Sequence, residues 1–330
     1  MGKIEAICVS MKKGEKKKQI QSARFIVDHG IEGDAHAGSW HRQVSILSFE
    51  DIEGMKKKGL PDLKSGDFAE NVVVSGVDLA NLGLGSRLRL GKEAVVSITQ
   101  LGKVCHSHCA IYQQTGDCIM PRLGMFGRVL HGGDVVTGDA VDVLEATPRN
   151  VFQAVVLTIS DRCSRGETQD TAGPAVGDML RKELKANIYK TEIIPDDKDR
   201  IVERLKHYCD GHSIDLVVAV GGTGFSPRDV TPEAVAEVVH RQAPGLGEAM
   251  RAASMAKTPR AMLSRSLCGI RNSTLIISLP GSLRSATENM EVIMPVLDHG
   301  LSKLRGDPSD CGRDHIVDPN LFLQRRSLTE

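Results

Sequence analysis

Hydrophobic and polar positions follow two different periods along this chain, and the change falls near residue 147. Before it, short apolar runs are separated by glycine-rich turns. Ile4 to Val9, Arg24 to Val27, Val44 to Leu47, Asn71 to Val74, Arg87 to Leu90, Ala94 to Thr99 and Val141 to Leu144 read as strands. One helix interrupts them, with Ser48 as N-cap, Glu50 to Lys58 as body and Gly59 as terminator. Many short strands with few helix signals predict a mostly-β barrel or sandwich over 1–147. Ala146-Thr-Pro-Arg-Asn150 is a short, turn-forming linker.

Beyond the linker, strands and helices alternate. Val151 to Ile159, Ile188 to Ile194, Leu216 to Val220 and Ser273 to Leu279 read as strands. Thr171 to Lys185, Asp199 to Cys209, Pro232 to His240 and Leu283 to Leu304 read as helices. This alternation predicts an α/β domain over 151–306 with a doubly wound, mainly parallel sheet. Residues 307–330 are expected to form a loosely ordered tail.

Candidate chemistry falls repeatedly just after those strands. Ser160-Asp161-Arg162 follows the first, Pro195-Asp196-Asp197 the second, Gly221-Gly222-Thr223-Gly224 the third and Pro280-Gly281-Ser282 the last. Four such segments at carboxyl ends imply one shared crevice. Backbone N–H groups of the glycine loop are suited to cradling an anion, and Asp196 with Asp229 to holding Mg²⁺ across a triphosphate. The combination suggests a nucleotide. Thr231-Pro232-Glu233 has the form of a helix start with Thr231 as N-cap. The alternative is a tight turn in which Asp229 pairs with Arg228 or caps that helix. The loop matches neither the Walker A pattern nor GxGxxG, so by itself it indicates an anion site and no more.

Charge is balanced, 42 basic against 42 acidic side chains, with 19 and 18 up to Asn150 and 23 and 24 after it. Nothing here suggests a nucleic-acid partner. The one basic run, Lys12 to Lys18, reads as a solvated hairpin tip. No apolar stretch approaches the roughly 20 residues of a membrane span, and the first ten residues lack a signal-peptide core. A cytoplasmic protein without a membrane partner is expected. Of eight cysteines only Cys105, Cys109 and Cys118 cluster, near His106, His108, Lys103 and Arg128. They suit a soft metal site, or a thiolate of lowered pKa. The C-x₃-C-x₈-C spacing is not a standard zinc pattern. Structural zinc and plain buried thiols remain the alternatives.

Two resemblances add to this reading. Asp28-His-Gly-Ile-Glu-Gly33-Asp34-Ala-His36, Gln43-Val-Ser-Ile, Gly66-Asp67-Phe-Ala-Glu70-Asn71, Gly85-Ser-Arg-Leu-Arg, the cysteine segment and Gly138-Asp139 resemble a MOSC domain. This is the β-barrel module named for molybdenum-cofactor sulfurases. The resemblance implies that Cys105 binds the molybdenum cofactor or carries its sulfur, with Cys109 and Cys118 as the other candidates.

The second half is similar to the MogA family, the molybdopterin adenylyltransferases that include the G domain of gephyrin. The matching residues are Ile159-Ser160-Asp161-Arg162, Gly166, Gln169-Asp170-x-x-Gly173, Ile194-Pro195-Asp196-Asp197, Gly221 to Gly224 with Arg228-Asp229-Val-Thr-Pro232, Pro244-Gly245-x-Gly247-Glu248-x-Met250-Arg251, Leu263-Ser264-Arg265 and Leu279-Pro280-Gly281-Ser282. That likeness implies adenylylation of molybdopterin with Mg-ATP, Asp196 and Asp229 being catalytic and holding Mg²⁺. It implies cofactor and phosphate contacts from Ser160, Asp161, Gly221, Gly222, Thr223, Gly224, Ser264, Arg265, Pro280, Gly281 and Ser282. It also implies a homotrimer that serves a molybdate-insertion protein or a molybdoenzyme. The related MoaB type supplies the alternative, a non-catalytic carrier of molybdopterin or of the finished cofactor. Ser282-Leu283 stands where the family commonly continues Pro-Gly-x-Pro.

Overall fold

The computed structural model describes residues 2–102, 111–112 and 118–307, so the tail expected beyond residue 307 lies outside the described residues. The first half contains β1 (Gly2–Val9), β2 (Lys18–Ile20), β3 (Ser22–Ile26), β4 (Gly30–Ile31), β5 (Val44–Ser48), β6 (Val72–Ser75), β7 (Arg87–Leu90), β8 (Ala94–Leu101), β9 (Met125–His131), β10 (Gly133–Val136) and β11 (Ala140–Glu145). Their main sheet runs β11-β7-β8-β9-β5-β6-β1-β2, and β1 pairs back to β11 with Gly2 opposite Val141. The sheet therefore closes into a barrel, which removes the exposed edges that a sandwich would keep. Among these pairings, β5 and β6 run parallel. Ile4, Ile46, Val72, Leu88, Val96, Ile98 and Val129 fill the interior. Helix α1 (Phe49–Lys57) starts where the sequence places it: Ser48 Oγ accepts the Asp51 N–H at 3.2 Å. Strand β9 is not among the strands expected above; it pairs antiparallel with both β5 and β8.

The lysine-rich turn is exposed through Lys16, as expected, but Lys17 departs from that picture. Its ammonium lies 2.6 Å and 2.7 Å from the two Asp34 oxygens, and both side chains are essentially out of solvent. Burial alone would raise the Asp34 carboxyl, yet hydrogen bonds from His36, Lys17 and Ser10 outweigh it and hold the group well below its ordinary range.

The second half is a mixed α/β unit. Strands β12 (Gln153–Ile159), β13 (Asn187–Ile194), β14 (Leu216–Val220) and β17 (Thr274–Leu279) lie parallel in the order β13-β12-β14-β17. The sheet is not parallel throughout. Two antiparallel strands, β15 (Arg241–Gln242) and β16 (Cys268–Arg271), complete the β17 edge. Alternate residues of the buried strands feed two cores. Ala154, Val156, Leu216 and Val218 pack under α2 (Ala172–Glu183), α5 (Pro244–Met255) and α6 (Leu283–Leu304). Val155, Leu157, Val217 and Ala219 pack under α3 (Lys198–Gly211) and α4 (Thr231–Val238). Helix α4 corrects one expectation: Val230 occupies the cap, and Thr231 is the first helical residue. The Thr231 N–H is taken by Gly222 O at 3.1 Å and its side chain is fully buried, so it is unavailable as a cap.

The linker is tied down on both sides. Gly83 N–H donates to Thr147 O at 2.6 Å, and Arg305 at the end of α6 reaches Val151 O and both Asp215 oxygens at 2.7 Å. The halves also meet through rings. His41 of the barrel stacks 4.9 Å from His212, which lies 4.7 Å from His207 and 5.4 Å from Tyr189. Ser213 Oγ accepts the Leu101 N–H at 3.2 Å. One apolar cluster continues from the barrel interior to the α3 and α4 face of the second sheet.

Lys17→Met leaves a buried, uncompensated Asp34 and is expected to cost about 3–5 kcal/mol in urea unfolding, with most of the loss recovered in the Lys17→Met/Asp34→Leu double variant. The ring contacts generate a pH dependence. Burial lowers the pKa of His41 and His207 and takes His212 down to about 3. The unfolded chain, with histidines near their ordinary value of about 6.5, therefore takes up protons first as pH falls. Stability is complete above about pH 6.5 and declines below it, by at most about 1.4 kcal/mol per pH unit for each histidine. The decline between about pH 6.5 and about pH 5 in thermal unfolding is expected to be shallower for His212→Gln.

Candidate functional site

The four parallel strands end at one level, and their outgoing loops meet there. Ser160 and Asp161 follow β12, Pro195 and Asp196 follow β13, the glycine loop follows β14, and Pro280 with Gly281 follows β17. A Cβ on Gly221, at φ +116°, would stand 2.2 Å from Ile159 O, and one on Gly281 would stand 3.2 Å from Gly221 Cα. The loops are this close because side chains are absent. Gly222, at φ +61°, has Thr231 Oγ1 2.4 Å and Asp196 Oδ1 3.1 Å from the place its Cβ would take, while Asp229 Oδ2 is 2.8 Å from that of Gly224. The loop thus separates two carboxylates by little more than its own backbone.

Asp161 makes a third. Its N–H donates to Asp196 Oδ2 at 2.7 Å, and the Asp196 N–H returns the bond to Asp161 Oδ1 at 3.1 Å. Arg228 grips Asp161 with Nε and Nη2, each at 3.0 Å, so its partner is Asp161 rather than Asp229. Asp229 Oδ2 instead accepts the Ser226 N–H at 2.9 Å. Burial raises the Asp196 pKa, and the charges of Asp161 and Asp229 add to the rise against the Asp161 N–H and Arg228. Thr231 Oγ1, buried beside Gly222, has no hydrogen-bond partner among the described residues.

A cavity of about 610 Å³ opens from this cluster, and Gly222, Thr223, Gly224, Asp229, Ser264, Pro280 and Gly281 are among its lining residues. Its lining also carries four cations. Arg251, Lys257, Arg260 and Arg284 line it, with Glu288 3.2 Å from Lys257 and 3.0 Å from Arg284. None of these four cations was singled out as a site residue from sequence, although Lys257-Thr-Pro-Arg260 is a local basic signal. Backbone N–H groups of the glycine loop and the cations are suited to a phosphate chain, and the carboxylates to a divalent cation carried with it.

Other predicted residues have structural duties. Ser160 Oγ accepts the Cys163 N–H at 3.2 Å and Ser282 Oγ the Ser285 N–H at 3.3 Å, so both cap helices. Arg265 Nε donates to Gly224 O at 2.7 Å, while its Nη groups bond Asp229 O and Glu233. It braces the glycine loop and lines a shallower hollow with Phe225, outside the main cavity.

In the barrel, a cavity of about 210 Å³ is lined by His36, Trp40, Arg42, Ser45, Asn71 and Phe126, among others. The Arg42 guanidinium sits 4.8 Å from the Trp40 ring centre, and its buried Nε has no partner among the described residues. Cys105 and Cys109 lie outside the described residues; Cys118 is buried. Burial pushes Cys8 up to about 12, which keeps that thiol protonated at neutral pH. Among the described residues no group of three or more His, Cys, Asp or Glu is placed to hold a metal. No described helix is long and apolar enough to cross a membrane.

Comparison with known proteins matches residues 155–299 to a family described as "Probable molybdopterin binding domain" and residues 33–142 to the MOSC domain. A molybdopterin adenylyltransferase of Helicobacter pylori (strain J99) is 40% identical over 162 residues, which is 49% of this chain and 92% of that protein. Gephyrin of Dictyostelium discoideum is 35% identical over 192 residues, covering 52% of this chain and 26% of gephyrin. The solved structure of MoaB from Thermus thermophilus is 42% identical, covers 48% of this chain and 100% of its own, and superposes with a TM-score of 0.46.

Gly222→Ala places a methyl against Thr231 and Asp196 in a left-handed backbone conformation. It is expected to lower stability by about 1–3 kcal/mol in thermal unfolding and to remove binding of inorganic pyrophosphate in calorimetry.

Proposed function

Because this chain belongs to the molybdopterin-binding family that includes the molybdopterin adenylyltransferases, we propose that its second half transfers the adenylyl group of ATP to molybdopterin. The observation that carries the reading is the glycine loop flanked by Asp196 and Asp229, facing a cationic cavity. The pterin substrate and the phosphates of ATP occupy that cavity, with Arg251, Lys257, Arg260 and Arg284 neutralising phosphate oxygens. An oxygen of the pterin substrate attacks the α-phosphorus, the bond to the bridging oxygen breaks, and pyrophosphate leaves. Positioning and charge neutralisation supply most of the acceleration in such transfers.

The donor set fits Mg²⁺ brought in with ATP. Two carboxylates of like charge, one raised in pKa by burial and by its neighbours, gain from a hard divalent cation. They are too few to cage it alone, which is the usual arrangement when substrate phosphates and water complete the shell. Asp196 and Asp229 would hold the ion, which supplies neutralisation of phosphate charge. Asp161, locked to Arg228 and cross-bonded to Asp196, keeps the Asp196 carboxylate turned toward the loop. Thr223, Ser264, Pro280 and Gly281 border the pterin side, and Ser160 and Ser282 fix the loops by capping.

The barrel is assigned a second task on the same cofactor. Its small cavity, with the Arg42 and Trp40 pair, would hold the anionic cofactor, and Cys105 would bind its metal or carry its sulfur. A trimer built through the second half would carry three barrels and serve a molybdate-insertion protein or a molybdoenzyme.

The direct test incubates the full chain with molybdopterin, ATP and Mg²⁺ and follows adenylylated pterin and pyrophosphate together. Equal amounts of both are expected; pterin binding without either product would make the protein a carrier. Asp229→Asn is expected to lower turnover by about 100-fold or more, as loss of a key electrostatic group does, with unchanged thermal stability.

A further inference from the structure

Glu288 is an acid in a cavity whose charged lining is otherwise suited to anions. Among the described residues it and Asp229 are the carboxylates of that lining, and two of the cavity's cations lie against it, Lys257 Nζ at 3.2 Å and Arg284 Nε at 3.0 Å. A carboxylate there weakens the field that draws a phosphate in. Its presence calls for a second role.

Steadying the two cations is a poor account of it. The Lys257 and Arg284 side chains remain 51% and 82% exposed, and ion pairs so open to water contribute little. Both cations, moreover, reach the same oxygen, Oε1, and among the described residues no hydrogen bond is made to Oε2. Arg284 and Lys257 hold the Glu288 carboxyl below its usual range, so it is ionised at neutral pH. The polar residues next to it are already occupied: Ser254 Oγ donates to Asn289 Oδ1 at 3.1 Å, and Asn289 Nδ2 to Ser285 O at 2.9 Å. Glu288 Oε2 thus remains as a charged acceptor for whatever enters.

A pterin carries, on one edge of its pyrimidinone ring, an exocyclic amine beside a ring N–H, two donors that point the same way. A carboxylate is the complement of such a pair, as it is of an arginine fork, and its charge strengthens both bonds. Each carboxylate oxygen accepts more than one bond, so Oε1 can serve the cations and the ring together. Asp229 is otherwise engaged, with Oδ2 on the Ser226 N–H at 2.9 Å. We propose, on the reading that the pterin substrate occupies this cavity, that Glu288 binds the amine edge of the pterin ring while Lys257 and Arg284 orient its carboxylate. Glu288 thereby makes the site selective for a 2-amino pterin over the corresponding 2-oxo ring, a lumazine, whose carbonyl would face the carboxylate.

Titration of the full chain with 6-hydroxymethylpterin and with 6-hydroxymethyllumazine, followed by ligand fluorescence without ATP, tests this. The unaltered protein is expected to bind the pterin about tenfold or more tightly than the lumazine, because the lumazine leaves a buried acceptor unpaired. Glu288→Gln is expected to lose that preference and to keep its thermal stability. Equal affinity of the unaltered protein for the two rings, or binding of neither, would overturn the proposal. A preference that survives Glu288→Gln, even with both affinities shifted alike, would assign Glu288 to the cations and overturn it too. Ring preference without adenylylated product in the transfer assay would keep the role of Glu288 in a carrier, and transfer without ring preference would remove that role alone.

Discussion

The in-register parallel pairing of β12, β14 and β17 is the constraint on which the site depends. Val155 stands opposite Val217 and Val217 opposite Ile276, so the three strands finish within one residue of each other, at Ile159, Val220 and Leu279. Every residue of β12, β14 and β17 is buried, with one set of side chains committed to each helical layer. A slip of one residue would exchange the two sets, which both layers forbid. Only with the ends aligned can Gly221 lie against Ile159 O and Gly281 against Gly221. The juxtaposition of Asp196 and Asp229 is therefore a property of the sheet, and the glycines remove what would have prevented it.

That dependence explains what could be read in the sequence. Leu216 to Val220 and Leu283 to Leu304 were legible to the residue because continuous apolar runs and capped amphipathic stretches are local signals. The four strand-end segments could be assigned to one crevice because alternation of strands and helices fixes where a parallel sheet presents its carboxyl ends. The cations of the cavity were not legible. Arg251, Lys257, Arg260 and Arg284 come from two helices and the turn between α5 and β16, and nothing in their spacing announces that they face one cavity. Lys17 was misjudged for a related reason. Its neighbours in sequence are all solvated, and its partner Asp34 lies 17 positions away, beyond the β1–β2 hairpin. Thr231 has the composition of an N-cap but is held as a buried contact for Gly222, an instance of tertiary packing overriding a local preference.

The antiparallel pair β15–β16 shows the same limit at the level of topology. Two residues of β15 carry no periodicity, so the antiparallel edge was invisible, although the sheet read as mainly parallel. Its presence matters for the site, because Ser264 to Ser266 are positioned by the turn that enters β16. Arg265 N–H donates to Thr223 O at 3.0 Å, and its side chain spans the loop to Asp229 O. The edge of the sheet thus braces the glycine loop from outside while Asp161 and Arg228 brace it from the β12 side.

Helix α3 joins these features to the barrel. Its N-cap, Asp197, follows Asp196 directly, and its other end carries His207 and leads into His212 and Ser213, which meet His41 and Leu101. Fourteen residues make a rod of about 21 Å with a site carboxylate at one end and the barrel at the other. The two modules are consequently poor candidates for recombination as beads on a string. A chimera that paired this α/β unit with a foreign barrel would have to transplant the ring surface around His41 too, or leave the far end of the rod without a seat.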